Sequence, residues 1–305
     1  MLRRIDIFYG ICYKNKGNST LPAIRQPRRL SGRSKVLDMM ANQDGQKKTV
    51  DTNGSLERAL LILEHMAVHG VAESVPEISR KLKINKVTAY KLMRTLEERK
   101  YVRKQQNGRY ILTSRMFEFG SMFCNNNPLT HLFYQNANML LKAIPTSEIY
   151  LGVLADKARG VYLGSVAVTD PYINSGTGFP LHATAIGKVL LAFATQEFQM
   201  EFFQQYEEAS LAQYTASTVK ETAYLAQQLR DIRKDGYCVN RGEYIMNTFF
   251  IAAPVFGPQQ KLIAAVSVGS NKDAFEVNKQ AYLREILAFA TRLSRSMGAN
   301  SQPFL

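Results

Sequence analysis

Cysteine is scarce in this chain of 305 residues: three, at Cys12, Cys124 and Cys238, with no paired spacing. That excludes a disulfide framework and a zinc module built on cysteine pairs, and it fits a reducing cytosol. No uncharged apolar run reaches the roughly 18 residues that a membrane span needs, so no membrane partner is expected. No GxGxxG and no phosphate-binding loop occurs, and no cofactor is expected. Histidine is limited to His65, His69, His131 and His182. His65 and His69 stand four apart, at metal-ligand spacing, but a closed zinc site needs four ligands and none clusters nearby in sequence. They are expected to be a surface pair, and no metal is expected. His182 has no visible nucleophile beside it and is expected to brace its loop. Cys124 and Cys238 lack the setting of a nucleophile. No catalytic set emerges, and the chain reads as a non-enzyme.

Acidic charge is under-represented in the first third. Residues 1–115 hold 24 Lys+Arg against 10 Asp+Glu, whereas the remainder holds 15 of each. The whole net charge of +14 therefore lies at the N-terminal end. Such segregation points to one module for a polyanion and another for something else.

Residues 1–54 are basic and rich in Gly, Ser and Asn, without a sustained period, and are expected to be a disordered leader. Ile5–Tyr13 behind Arg3 and Arg4 faintly resembles a signal peptide, but Asp6 interrupts it and no small-residue cleavage site follows. Met39 and Met40 are alternative starts within this segment.

Residues 55–113 have the periodicity of three helices and a hairpin. Ser55 is the expected N-cap of a helix to His69, with Ala59, Leu60, Leu63, Met66 and Ala67 at helical spacing and Gly70 as its stop. Ser74 and Glu77 form a capping box for a second helix to about Leu82, with Pro76 in its first turn. Lys83–Asn85 make a turn. Asn85 caps a third helix, about Lys86–Arg99, with Ala89, Leu92, Met93 and Leu96 as its core face. Two strands, Tyr101–Lys104 and Arg109–Leu112, flank Asn107–Gly108, a strong hairpin signal. This is a winged helix-turn-helix, which sets its recognition helix into the major groove of double-stranded DNA. Lys86, Val87, Thr88, Tyr90, Lys91 and Arg94 lie off the core face and suit base edges or phosphates. Arg103, Lys104 and Arg109 in the wing suit flanking backbone.

Residues 114–127 predict a linker helix, apolar on much of its surface through Met116, Phe117, Phe119, Met122 and Phe123. Contact with a second copy and packing on its own domain remain equal alternatives. Residues 128–298 intersperse helices with strands, as in an α+β domain with a mainly antiparallel sheet. Helices are expected near Leu129–Ile144, Thr184–Ala194, Glu197–Tyr206, Val219–Lys234 and Phe275–Met297. Strands are expected near Glu148–Leu154, Gly160–Val168, Tyr237–Arg241, Phe250–Val255 and Ile263–Val268. Residues 299–305 form a tail.

The run from Ser55 through Leu112, with SLERALLILE, INKVTAYKLMRTLEERKYV and NGRYILT, resembles the DNA-binding domain of the IclR-type bacterial transcription regulators. The likeness continues in PLHATAIGKVLLAF (Pro180–Phe193), RKDGY (Arg233–Tyr237), Glu243, IAAPVFG (Ile251–Gly257) and AAVSV (Ala264–Val268). It spans roughly residues 55–298. The sequence departs from the family pattern at Lys100, where glycine is usual and a left-handed backbone is expected. Val87 and Ala89 replace a small polar residue and a valine.

The resemblance implies an N-terminal winged helix-turn-helix plus a C-terminal GAF-like effector-binding domain. It implies a sequence-specific regulator in the cytoplasm, a repressor of a catabolic operon, acting as a homodimer or homotetramer. The effector is expected to be a small metabolite, an organic acid. By matching motif positions its pocket involves Ala185, Ile186, Asn240, Phe250, Ser267 and Gly269. Members that bind very small acids commonly have Asp and Cys at the positions of Asn240 and Phe250. A different effector, one with an apolar or aromatic part, is therefore expected, or a pocket filled by Phe250. Gly187 is expected to permit close packing, and Asn247, where glycine is usual, to take a left-handed turn. Lys188 is expected to face solvent, with contact to an acidic effector as the alternative. A non-specific nucleoid protein and a ligand-processing enzyme fused to a DNA module remain the other readings.

Overall fold

The computed structural model describes residues 53–144, 147–167, 173–206 and 210–300. The leader, apart from residues 53–54, the last five residues of the tail, and Val168 lie outside them.

The first element, α1 (Gly54–His69), starts two residues earlier than expected, because its N-cap is Asn53 and not Ser55. The Asn53 carboxamide oxygen accepts from the Ser55 and Leu56 amides, two of the four donors a helix start leaves unpaired. Gly70 closes the helix at φ 61°, which costs glycine nothing. The Ser74–Glu77 capping box opens α2 (Val75–Lys81), and the Asn85 side chain caps α3 (Lys86–Glu98) through the Val87 amide. The wing follows as β1 (Val102–Lys104) and β2 (Tyr110–Leu112), paired antiparallel. Its loop is longer than a two-residue hairpin. The Gly108 amide donates to Gln105 O and the Gln105 amide to Arg109 O, with Gly108 at φ 76°, a type I turn followed by a left-handed residue.

Ile62, Met66, Ile78, Ala89, Met93, Leu96 and Val102 share one core, with Leu92 packed partly buried against it. Burial of each large side chain stabilises by roughly 1.5–3 kcal/mol. Glu73 fastens the three layers together. Its backbone bridges Tyr110 of β2, and its buried carboxylate takes hydrogen bonds from His65 of α1 at 2.7 Å and from Lys81 of α2.

The linker helix α4 (Arg115–Asn126) buries no residue. Then come α5 (Pro128–Ala143), β3 (Glu148–Leu154), β4 (Arg159–Ala167), β5 (Gly178–Pro180), α6 (Ala185–Phe193), α7 (Gln196–Gln204), α8 (Thr222–Asp235), β6 (Cys238–Arg241), β7 (Thr248–Phe256), β8 (Leu262–Asn271) and α9 (Lys272–Ser296). Strand β5 was not expected from the sequence. The six strands form one sheet in the order β5-β4-β3-β8-β7-β6, and every pair is antiparallel.

Both sheet faces are covered, which is why β7 and β8 are almost continuously apolar. Side chains alternate between two cores, as strand geometry requires. Ile149, Leu151, Ile251, Ala253, Val266 and Val268 face α5 and α9. Tyr150, Tyr162, Ala252 and Ala265 face α6 and α8. Gly187 lets α6 lie against its own entry loop, since a Cβ there would sit 2.5 Å from Leu181 O.

Candidate nucleic-acid interface and effector pocket

The third helix offers an open polar and basic face. Lys86, Val87, Tyr90, Lys91 and Arg94 are exposed and Thr88 is half-buried, while Ala89 and Met93 hold the opposite face in the core. Among the described residues Arg94 pairs with Glu98 one turn on, at 3.0 Å, and both are well exposed, so the guanidinium exchanges partners at little cost. Arg103 and Lys104 are exposed on β1. Arg109 differs from the expectation for the wing. Its Nε donates to Ala72 O and its Nη2 to Glu77, both at 2.8 Å, which ties the wing to α2. The Glu77 carboxyl is held at about 2, first by the Ser74 amide, then by the Ser74 hydroxyl, with Arg109 adding to both.

Lys100 has the left-handed backbone expected of it, at φ 63°. Its amide donates to Glu97 O and the Tyr101 amide to Leu96 O, the two bonds of a Schellman turn that aims the chain into the wing.

Of the histidine pair on α1, His69 is exposed as expected, but the His65 side chain is largely buried. His65 is engaged with buried Glu73, and His69 Nδ1 donates to His65 O at 2.8 Å. Among the described residues no three His, Cys, Asp or Glu side chains are placed to hold a metal ion. His131 is exposed beside Gln135.

On the α6 side of the sheet lies a pocket. Of the six effector-site residues expected, Ala185, Ile186, Asn240, Phe250 and Ser267 line it. Gly269 does not. It lies directly across from Phe250 in the ladder, and a Cβ there would come within 2.3 Å of the Phe250 ring. Its place in the site is to make room for that ring. Sequence reasoning missed Tyr150, Tyr162, Ile173, Thr184, Tyr244, Ile245 and Thr248. The alternation of β3 and β4 puts Tyr150 and Tyr162 on the α6 face, a signal that was present, but alternation does not say where that face is hollow.

The pocket is polar in its hydroxyls and aromatic in its body. Rings on four strands follow one another: Phe179 to Tyr162 at 4.4 Å, Tyr162 to Tyr150 at 5.2 Å and Tyr150 to Phe250 at 5.8 Å between centroids. Burial first, then Glu148, which accepts from the Tyr150 hydroxyl, holds that phenol well above its ordinary range. Burial does the same for Tyr162, so both stay neutral donors. The start of α6 forms one wall. Thr184 caps it, accepting from the Gly187 amide at 3.0 Å, while Ala185 and Ile186 present the first turn, which favours negative charge.

Asn240 lines the pocket with its amide already engaged. Its Nδ2 donates to Ala183 O at 3.0 Å and its Oδ1 accepts from the Glu243 amide at 3.1 Å, so it ties the entry loop of α6 to the β6–β7 connection. Lys188 overturns the solvent-facing expectation. It is 1% exposed, and its Nζ donates to both Glu243 carboxylate oxygens, at 2.5 and 2.6 Å, and to Gln228 at 2.8 Å. A charge leaves water only with a partner this close. Asn247 takes the left-handed turn expected, at φ 60°.

His182 braces the entry loop, donating from Nε2 to Ala212 O at 2.9 Å. Its Nδ1 is buried without a partner. Burial lowers its pKa to about 4, with the Ala212 bond opposing and Lys188 adding to the fall. Burial pushes the Cys238 thiol up to about 12, which leaves it unreactive.

A winged helix-turn-helix with an open basic recognition helix is joined in one chain to a sheet domain with a polar-aromatic pocket. Comparison with known proteins decides the family. The sequence model of the IclR helix-turn-helix domain matches residues 55–106, and that of the bacterial transcriptional regulator IclR C-terminal region matches residues 139–295. The chain belongs to the IclR family of bacterial transcriptional regulators. It is 30% identical over 279 residues to the HTH-type transcriptional regulator KdgR of Dickeya chrysanthemi, covering 89% of this chain and 88% of that one. An IclR transcriptional regulator from Alicyclobacillus acidocaldarius has the same fold, with a TM-score of 0.70 and 21% identity over 81% of this chain and all of that one. So does an IclR homologue from Microbacterium hydrocarbonoxydans complexed with 4-hydroxybenzoate, with a TM-score of 0.65 and 19% identity over 80% of this chain and all of that one. This IclR-family chain is thus a DNA-binding transcriptional regulator. Among its described residues no helix is long and apolar enough to cross a membrane.

Proposed function

We propose that this protein is a cytoplasmic repressor of a catabolic operon, released or tightened by a small organic acid bound in the α6-side pocket. The single observation that carries the DNA-binding half is the recognition helix, with Lys86, Lys91 and Arg94 open to solvent on the face opposite its core residues. Val87, Thr88, Tyr90, Arg103 and Lys104 complete the proposed contact set. Arg109 is left out, because its donors hold the wing. The first turn of α6 suits a carboxylate, and the ring-lined floor suits a guest with an apolar or aromatic part. The Microbacterium homologue, complexed with 4-hydroxybenzoate, supports that class of guest.

The protein acts as a homodimer, alone or paired into a tetramer. Phe117, Met122 and Phe123 on α4 are 77%, 60% and 55% exposed, while Phe119 stacks on Tyr101 of its own wing domain. Apolar side chains exposed around a helix in this way suit burial against a second copy. Two copies would set their recognition helices at half-sites about one helical turn apart. An effector alters DNA affinity only as far as it distinguishes two states of the protein.

Selection of genomic fragments by the purified protein at fixed salt tests the reading, since phosphate contacts make affinity steeply salt-dependent. The expected outcome is a palindromic motif, with Arg94→Ala weakening binding by roughly 1–3 kcal/mol and relaxing one base preference. Binding without any motif would refute a specific operator. A thermal-shift screen of carboxylic acids, with 4-hydroxybenzoate among them, tests the effector. Binding restricted to two-carbon acids would refute a guest with an aromatic part.

A further inference from the structure

The pocket is smaller than the guests its walls suit. Its interior holds about 30 Å³, enough for a water or two, whereas a cavity that takes benzene measures roughly 150 Å³. A guest with a ring needs a wall to move. The floor is the central sheet, and the α6 wall is packed into it. Ile173 closes one edge from the β4–β5 connection, and the connection between β6 and β7 forms a further wall with Tyr244 and Ile245. It has two left-handed residues, Gly242 at φ 75° and Asn247 at φ 60°. Side chains hold it in place. Lys188 grips the Glu243 carboxylate, Thr218 donates to Glu243 O at 2.6 Å, and Thr215 donates to Gly242 O at 2.8 Å.

We infer that the Lys188–Glu243 ion pair is a latch that positions this wall, and that the wall swings from its two left-handed ends when the pair parts. Adhesion alone does not account for the pair. Desolvating two charges offsets much of their attraction, so the pair adds less adhesion than its Coulomb energy alone suggests. What a bidentate ion pair adds is one defined position and an all-or-none release. Lys188 lies on α6 one turn beyond Ala185 and Ile186, and Glu243 lies next to Tyr244, so the latch joins the two opposing walls of the pocket itself. Both are positioning residues and neither lines the pocket. The inference rests on reading this pocket as the effector site.

Hydrogen exchange of the full chain, followed by mass spectrometry with no ligand added, reads the wall directly. Lys188→Met/Glu243→Gln removes both charges and leaves neither stranded. Peptides across residues 241–248 are expected to exchange at least tenfold faster in this variant, while β8 and α9 keep their rates. Phe289→Leu, a core change on the other side of the sheet, supplies the contrast of a general loss of stability. Unchanged exchange across 241–248, or an acceleration spread over the sheet as in Phe289→Leu, overturns the latch. Titration with 4-hydroxybenzoate as the probe is expected to show altered affinity in the latch variant. If it binds neither protein, the proposed guest class fails while the exchange result still decides the latch.

Discussion

Replacing Lys100 by glycine is expected to stabilise the winged domain. The residue sits at φ 63°, where an L side chain crowds the following carbonyl, at a cost of roughly 1–2 kcal/mol. Glycine removes that cost but adds freedom to the unfolded chain, which takes back about 0.4–1 kcal/mol. The net gain is therefore about 0.5–1 kcal/mol. Nothing else of note is lost. The Lys100 amide and carbonyl, bonded to Glu97 O and the Thr113 hydroxyl, remain in the variant, and the side chain is exposed. Lys100→Ala supplies the control, because it removes the same charge and leaves the backbone strained. Urea unfolding without DNA, followed by circular dichroism, compares the midpoints of the three proteins. The order Gly above Lys and Ala is expected. Glycine no more stable than alanine would refute the strain argument, and with it the claim that the Schellman turn is held against local preference.

Other consequences follow from single contacts. Phe117→Asp on α4 is expected to weaken self-association with little change in monomer stability, as sedimentation would show; an unaltered dimer would take Phe117 out of the interface. Gly269→Ala is expected to cost about 1–3 kcal/mol, because the new Cβ would lie 2.2 Å from Phe249 O, an atom of the strand backbone that cannot turn aside. A midpoint equal to the parent's would mean that β7 and β8 separate there easily. His182 makes stability depend on pH. Its folded pKa of about 4 lies below the ordinary 6.5, so between those values the unfolded chain binds more protons. Stability is full above 6.5 and falls as pH drops toward 4, by about 3 kcal/mol at 1.36 kcal/mol per unit. His182→Gln should flatten that slope in urea titrations at successive pH values; an identical slope would place the acid sensitivity elsewhere.

Which parts of the molecule were legible in the sequence follows from how far each signal reaches. The helix-turn-helix was legible almost residue by residue because its determinants are local. Ser74 and Glu77 are three apart, Asn85 reaches Val87, and Gly108 turns a loop of a few residues. The one misplaced cap, Ser55 for Asn53, is a choice between two good capping residues two positions apart, and periodicity does not rank them. Strand β5 escaped because three residues have no measurable period, and it exists by pairing with β4. The errors at the pocket have a longer range. The rule that helix charges point outward assigns Lys188 to solvent. What keeps it inside is a carboxylate 55 positions away, together with Gln228 on α8. Asn240 and Gly269 were matched to the right region, but their neighbours are set by Ala183 across the entry loop and by Phe250 across a strand pair. In this chain a polar residue's element was legible from its own surroundings, whereas its role depended on a partner brought in by the sheet. The same reasoning bears on Phe250. Its bulk fits either an altered guest or a filled pocket, and the rings of Tyr150 and Tyr162 favour the first, since they line the same floor as Phe250. Phe250→Cys would shorten that floor at one end and should shift preference toward smaller acids in the thermal-shift screen. An unchanged ranking of acids would mean that Phe250 is only part of the core.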